Sequence, residues 1–202
     1  MADFAKRYYT AVYAFIRAIV RDEDAAQDLT QAFFHEKVLR SRRVLTAADA
    51  RRGPFRPFLK QTIRNFIVDI QRDRARLPQP TQRVLGYAHP AFEPGDNAED
   101  ALLREWGRTI VQIALARVEA HCQSRGQHEH FSMFVARYLE DTDRPASFRA
   151  IGALFGLDEK SARGRVETVR RQFRTALREL ITTDQATPAD ADEEIRKMAA
   201  VL

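Results

Sequence analysis

Cysteine is nearly absent from this chain of 202 residues. Cys122 stands alone, so no internal disulfide can form and a reducing compartment is expected. Long apolar runs are missing as well. No stretch approaches the roughly 20 residues that cross a bilayer. The opening MADFAKRYYTAVYAFIRAIV is interrupted by Asp3, Lys6, Arg7 and Arg17, unlike the apolar core of a secretory signal. A cytoplasmic protein without membrane insertion is the expectation. There is no strand-like alternation, no fixed-period repeat and no low-complexity tract. No phosphate-binding loop, nucleotide fingerprint or Ser-His-Asp set occurs, so the sequence offers no ground for an enzyme or a cofactor. Lysine is scarce too: five against 28 arginines. A genome rich in G and C explains the abundance of arginine but not its clustering.

What the chain does have is charge in blocks and apolar residues at helical spacing. The net charge is +5. Residues 51–76 carry eight basic and two acidic side chains, and residues 145–182 carry eight and four. Residues 22–36 hold Asp22, Glu23, Asp24, Asp28 and Glu36 with no Lys or Arg, and residues 183–202 hold five acids against two bases. Two basic blocks, an acidic block and an acidic tail point to several distinct partner surfaces.

Phe4, Tyr8, Val12, Phe15 and Ile19 recur at steps of three or four, which predicts a helix with one buried face. A second helix starts in RDEDAAQDL, where an aspartate can cap the free backbone N–H groups. It runs through Leu29, Phe33, Phe34, Val38 and Leu39. Gly53 and Pro54 mark a joint, and a third helix carries Leu59, Ile63, Phe66, Ile67 and Ile70. Residues 77–97 contain Pro78, Pro80, Pro90 and Pro94, a density that prevents regular structure and predicts a linker. Beyond it, Leu102, Leu103, Trp106, Ile110, Ile113 and Val118 predict a long helix, and Phe131, Phe134, Val135, Tyr138 and Leu139 another. SFRAIGALFG reads as a short helix capped by Ser147 and ended by Gly156. The helix after it places Ala162, Val166, Val169, Phe173, Leu177 and Leu180 on one face. The tail ADADEEIRKMAAVL reads as a last short helix. The fold class is therefore all-α: two small helical domains joined by a Pro-rich linker, the second containing a helix-turn-helix.

In a helix-turn-helix the second helix enters the DNA major groove with its N-terminal residues leading. Lys160, Ser161, Arg163, Arg165 and Glu167 stand at that end, within reach of base edges. Arg170, Arg171, Arg174 and Arg178 lie further along, where phosphates run. Gly164 costs the helix about 1 kcal/mol relative to alanine, and close approach of DNA is one reason to keep it. A solvated basic helix packed on a bundle is the plainer explanation of the same pattern.

Several stretches together resemble the extracytoplasmic-function (ECF) sigma factors of bacterial RNA polymerase. SFRAIGALFGLDEKSARGRVETVRRQFRTALREL is similar to the family's promoter-reading helix-turn-helix. YYTAVYAFIRAIVRDEDAAQDLTQAFFHEKVL resembles its polymerase-docking helices. GPFRPFLKQTIRNFIVDIQRDRARLP resembles the helix that reads and opens the −10 element, with Arg64, Asn65 and Asp69 in an R-N-x-x-x-D core. The similarity covers roughly residues 4–182, and the DLTQAFF and FRPFL variants look like a planctomycete or myxobacterial subgroup. Gln27, Phe58, Ala162 and Gly164 depart from the family's usual residues.

The resemblance implies a domain at 1–77 for polymerase docking and −10 recognition and melting, a linker at 78–100, a domain at 101–182 for −35 recognition, and an acidic tail at 183–202. It implies core RNA polymerase and double- and single-stranded promoter DNA as partners, with an anti-sigma protein or other regulator as a further one. By it, Asp24, Asp28, Gln31 and Phe34 dock the polymerase. Arg51, Arg52, Phe55 and Asn65 contact the −10 strand, while Arg64, Arg72, Arg74 and Arg76 follow phosphates. Lys160, Ser161, Arg163, Arg165, Glu167, Arg170, Arg171 and Arg174 form the −35 surface. Each has a plainer role beside it: aspartates at a helix start cap it, Phe55 and Phe58 pack in a core (Phe58 above all), and Asn65 serves as a cap or a buried hydrogen-bonder. His121, Cys122, His128 and His130 are metal-binding types within ten residues, but their spacing fits no zinc pattern and the stretch is expected to be a loop. No metal site is assigned. Two other classes stay open: a helix-turn-helix repressor or activator that does not bind core polymerase, and a helical adaptor that does not bind DNA.

Overall fold

The apolar stripe of residues 4–19 does what its period predicts. Helix α1, Ala2–Val20, buries Phe4, Tyr8, Val12, Phe15 and Ile19. These come from a computed structural model that describes residues 2–41, 44, 55–75, 97–140, 145–182 and 196. Every regular element among the described residues is helical. No helix among them is long and apolar enough to cross a membrane. The chain divides into two compact units, Met1–Thr109 with Ile181–Leu202, and Ile110–Leu180.

In the first unit, Arg21 takes φ +59 at the end of α1, the left-handed conformation that closes many helices. Asp22 then caps α2, Glu23–Phe33, accepting the Ala25 N–H at 2.7 Å. Thr30 is wholly buried, and its hydroxyl donates to the Ala26 carbonyl at 2.7 Å, so that hydroxyl is not stranded. The helix continues as a π-helical segment, Phe34–Arg40, in which the Ser41 N–H reaches back five residues to the Glu36 carbonyl. The wider turn keeps Phe34 and Val38 inside and leaves Leu39 48 % exposed. The sequence reading put Leu39 on the buried face, because it assumed one period throughout.

Helix α3, Phe55–Ala75, buries Phe55, Leu59, Ile63, Phe66 and Ile67. Rings interlock across the helices: Phe55 lies 5.3 Å from Tyr8 and 5.7 Å from Phe4, and Phe66 lies 5.5 Å from Phe33. Helix α4, Asn97–Ser124, contributes Ala98, Leu102 and Trp106 to this unit. The Arg56 guanidinium stacks 4.3 Å from the Trp106 ring, an interaction that gains when water is excluded.

Glu99 binds two α3 cations at once: Lys60, and Arg64 at 2.9 Å. The hydrogen bond from Lys60 is the main reason its carboxyl sits below the ordinary glutamate range, with the charges of both cations adding to it. A lowered folded-state pKa means stability that is present above the unfolded value and lost as pH falls through the folded one. Because the site is 40 % exposed, the gain is held to about 1 kcal/mol or less. Urea titrations of the chain and of Glu99→Gln should therefore differ at pH 7 and converge as pH falls through the lowered folded-state pKa of Glu99. A gap that persists at low pH would refute the assignment.

The second unit holds the rest of α4, then α5, His128–Tyr138, α6, Phe148–Leu154, and α7, Glu159–Thr182, as far as Leu180. Ile110, Ala114, Val118, Met133, Phe134, Ile151, Ala162, Val166 and Val169 are its buried apolar residues, with Ala176 and Leu180 further along α7. Ser147 caps α6 by accepting the Ala150 N–H at 3.1 Å. Gly156, at φ +65, turns the chain, and Asp158 caps α7 by accepting the Ser161 N–H at 2.6 Å. Ser161's hydrogen bonds, side chain first, hold the Asp158 carboxyl below its usual range.

The His/Cys stretch corrects its expected place in a loop. His121 and Cys122 lie inside α4, and His128 and His130 inside α5. Cys122 is buried, which raises its thiol pKa, and its Sγ lies 3.7 Å from Gln172 Oε1. Among the described residues no three His, Cys, Asp or Glu side chains converge to hold a metal.

Candidate functional site

Three surfaces take up the residues singled out in the sequence. The first is the outer side of α2. Asp24, Asp28 and Gln31 follow steps of four and three, which puts them on one helix face, and all three are exposed. Phe34 is not on that surface. It is 8 % exposed, with its ring 5.2 Å from Tyr9, 5.9 Å from Phe33 and 6.2 Å from Phe4. Leu39 is the large apolar side chain that the π segment leaves outside, and a period of 3.6 could not have found it.

The second surface is on α3. Phe58, Thr62, Asn65, Asp69 and Arg72 follow steps of four and three along one stripe. Phe58, Thr62, Asn65 and Asp69 line a groove of ≈ 580 Å³ with Lys37, Arg40 and Ser41. Arg72 continues it beside Glu36, Lys37 and Asp73. The groove mixes charges: cations from Lys37, Arg40 and Arg72 face carboxylates of Glu36, Asp69 and Asp73. Asn65 is exposed and accepts a hydrogen bond from Gln61 Nε2 at 2.8 Å.

The two phenylalanines trade the places expected of them. Phe55 is 2 % exposed within the Phe4 and Tyr8 cluster, so its ring serves the core and is not free to stack on a base. Phe58 is 41 % exposed at the groove. Arg64 also leaves the stripe: one position before Asn65, its guanidinium turns to Glu99 and the Phe15 ring. Arg51, Arg52, Arg76 and the Arg74 side chain lie outside the described residues, as does the tail apart from Arg196.

The third surface is α7. Its inner face is occupied by the buried Ala162, Val166 and Val169, while Lys160, Ser161, Arg163, Arg171 and Arg174 are exposed. The cations fall into two sets. Arg163 pairs with Glu159 at 3.4 Å, Arg165 with Glu129 of α5 at 3.6 Å, and Arg170 with Glu167 at 3.1 Å. Arg170 also donates to the Tyr138 hydroxyl at 3.4 Å. Lys160, Arg171 and Arg174 make no ion pair among the described residues. Unpaired cations on a helix surface are available to phosphates, and their binding releases counterions. At Gly164 an added methyl group would meet no protein atom within 4 Å, so packing does not demand glycine there.

Two aromatic side chains were missed as part of this surface. Phe148, in the first turn of α6, has the Arg163 guanidinium 5.0 Å and the Arg137 guanidinium 5.1 Å from its ring centroid. Tyr138 holds Arg170. Both bring residues together across the turns between helices, which local sequence patterns do not encode. Comparison of this chain with protein-family models, curated proteins and solved structures finds no match.

Proposed function

We propose that this chain is a sigma factor of the ECF type, which binds core RNA polymerase, directs it to promoters and helps separate the strands. The observation that carries the reading is the division of α7: an apolar face buried in its own unit, and Lys160, Ser161, Arg163, Arg171 and Arg174 left exposed at its head and along its outer side. In a helix-turn-helix, that head enters the major groove while the flanking cations meet phosphates.

Two further surfaces support the same reading. The face of Asp24, Asp28 and Gln31 offers acidic charge to a basic partner helix, as expected for polymerase docking. The stripe from Phe58 through Asn65 to Arg72 combines an exposed ring, an amide and a cation, the chemistry that holds single-stranded bases. In this reading the exposed ring is Phe58.

The test is transcription in vitro. The purified chain, added to bacterial core polymerase on genomic DNA, should give transcripts whose sequenced starts lie downstream of a shared two-part motif. Core polymerase alone should give none. A repressor or activator of the helix-turn-helix class would bind duplex DNA without co-eluting with core polymerase. An adaptor would show no salt-dependent DNA binding at all. Either result overturns the proposal.

A further inference from the structure

The outward arginines of α7 are not equivalent, and the difference starts from side-chain entropy. A free arginine must be ordered when it binds a base edge, at a cost realised only in the specific complex. An arginine already held in place avoids that cost and enters the groove with its fork oriented. Arg163, one turn into α7, is held twice: by Glu159 at 3.4 Å and by the Phe148 ring at 5.0 Å. Glu159 is exposed and sits on the same helix as Arg163, so it supplies charge more than a fixed reference to the rest of the unit. Phe148 is different. It is half-buried in α6, and its ring carries Arg137 from α5 as well, with Arg137 in turn 5.4 Å from the Tyr138 ring. The ring therefore refers Arg163 to two other helices of the unit.

We propose that Phe148 is the positioning residue for Arg163, and that sequence discrimination by the head of α7 runs through this ring. The inference rests on the DNA-binding reading above and goes beyond it by naming how one base contact is fixed. Phe148 itself touches no DNA in this scheme. Arg171 and Arg174, further along α7, supply affinity without sequence preference, because phosphates are the same at every position.

The experiment uses the full chain, alone and assembled with core polymerase. The probe is a pool of duplex DNA with a randomised upstream stretch, selected, sequenced and titrated with salt. Arg163→Gln should flatten the preference at one or two base positions by roughly 5- to 150-fold, the range for one good bidentate contact. Phe148→Leu keeps an apolar side chain and should weaken preference at those same positions by about 2- to 10-fold, the cost of ordering one long side chain on binding. The salt slope should stay as in the parent chain, because no phosphate contact is lost. Phe148→Tyr restores the ring and should restore the preference. If Phe148→Leu keeps the parent preference where Arg163→Gln does not, or if Phe148→Tyr fails as Phe148→Leu does, the ring does not position Arg163. If Arg163→Gln changes no position, the inference falls while the sigma reading stands. If the parent chain neither joins core polymerase nor binds the pool, the sigma reading falls and takes this inference with it.

Discussion

Gly152→Ala should lower the stability of the second unit even though alanine is the better helix former. A methyl group at 152 would lie 2.6 Å from the Leu157 carbonyl oxygen and 3.2 Å from that of Asp158. Both are backbone atoms, so no side chain can swing aside. The turn has folded back against α6 here: the Leu157 N–H donates to the Gly152 carbonyl at 2.8 Å and the Phe155 N–H at 3.1 Å. Opening this contact by even half an ångström disturbs both bonds and the left-handed Gly156 between them. Overpacking of this kind costs about 1–3 kcal/mol, against a gain of up to about 1 kcal/mol from helix propensity. The clash wins because the gain is local and the displaced segment carries the Asp158 cap of α7. Thermal unfolding of Gly152→Val should show the larger loss, since its branched side chain adds atoms to the same contact. Gly164→Ala is the control. Nothing lies within 4 Å of that position, so it should be neutral or slightly stabilising. Equal behaviour of the two alanine variants would mean that α6 and the turn do not approach as described.

What the sequence showed of this molecule was its local physics. The stripe from Phe4 to Ile19, the Ser147 cap and the turn at Gly156 depend on residues within a few positions of one another. Spacing and residue type suffice to read them. Failures begin where a side chain's neighbour is distant along the chain. Nothing near Arg64 marks its pairing with Glu99, 35 residues later, and nothing near Phe148 marks its two guanidiniums. The exchange of Phe55 and Phe58 has the same origin. Both are aromatic, three positions apart on one helix, and only the packing of Phe4 and Tyr8 decides which is buried. The π segment is a different kind of failure. Its extra residue per turn changes the period within one helix, so Leu39 emerges where a uniform helix would hide it. Of the candidate surfaces, the acidic face of α2 and the exposed cations of α7 were legible, because charge periodicity is local too. The division of those cations into paired and unpaired sets was not.

Reversing two charges, Asp24→Lys with Asp28→Lys, should abolish co-elution with core polymerase while leaving the chain folded. Both positions are exposed, and the cap of α2 is supplied by Asp22, which the variant keeps. The buried side of the helix, Ala25, Ala26, Leu29 and Phe33, is untouched. Placing a cation in the first turn opposes the helix dipole, at a cost of about 0.3–1 kcal/mol, too little to unfold a helix anchored by that face. In the proposed docking, each reversal would replace an attraction by a repulsion against a basic partner. Removing one member of a desolvated interfacial charge pair costs about 2–5 kcal/mol, so one reversal should weaken association at least about 30-fold and two together roughly 900-fold or more. The loss should appear in gel filtration with core polymerase and in run-off transcription, with circular dichroism unchanged. A second variant, Glu119→Lys with Glu140→Lys, makes the same change in net charge at exposed positions of the other unit and should still co-elute. Equal loss in both variants would trace the effect to overall charge. Undiminished association of the Asp24 and Asp28 variant would remove the acidic face of α2 from the docking surface, and with it the main support for polymerase binding by the first unit.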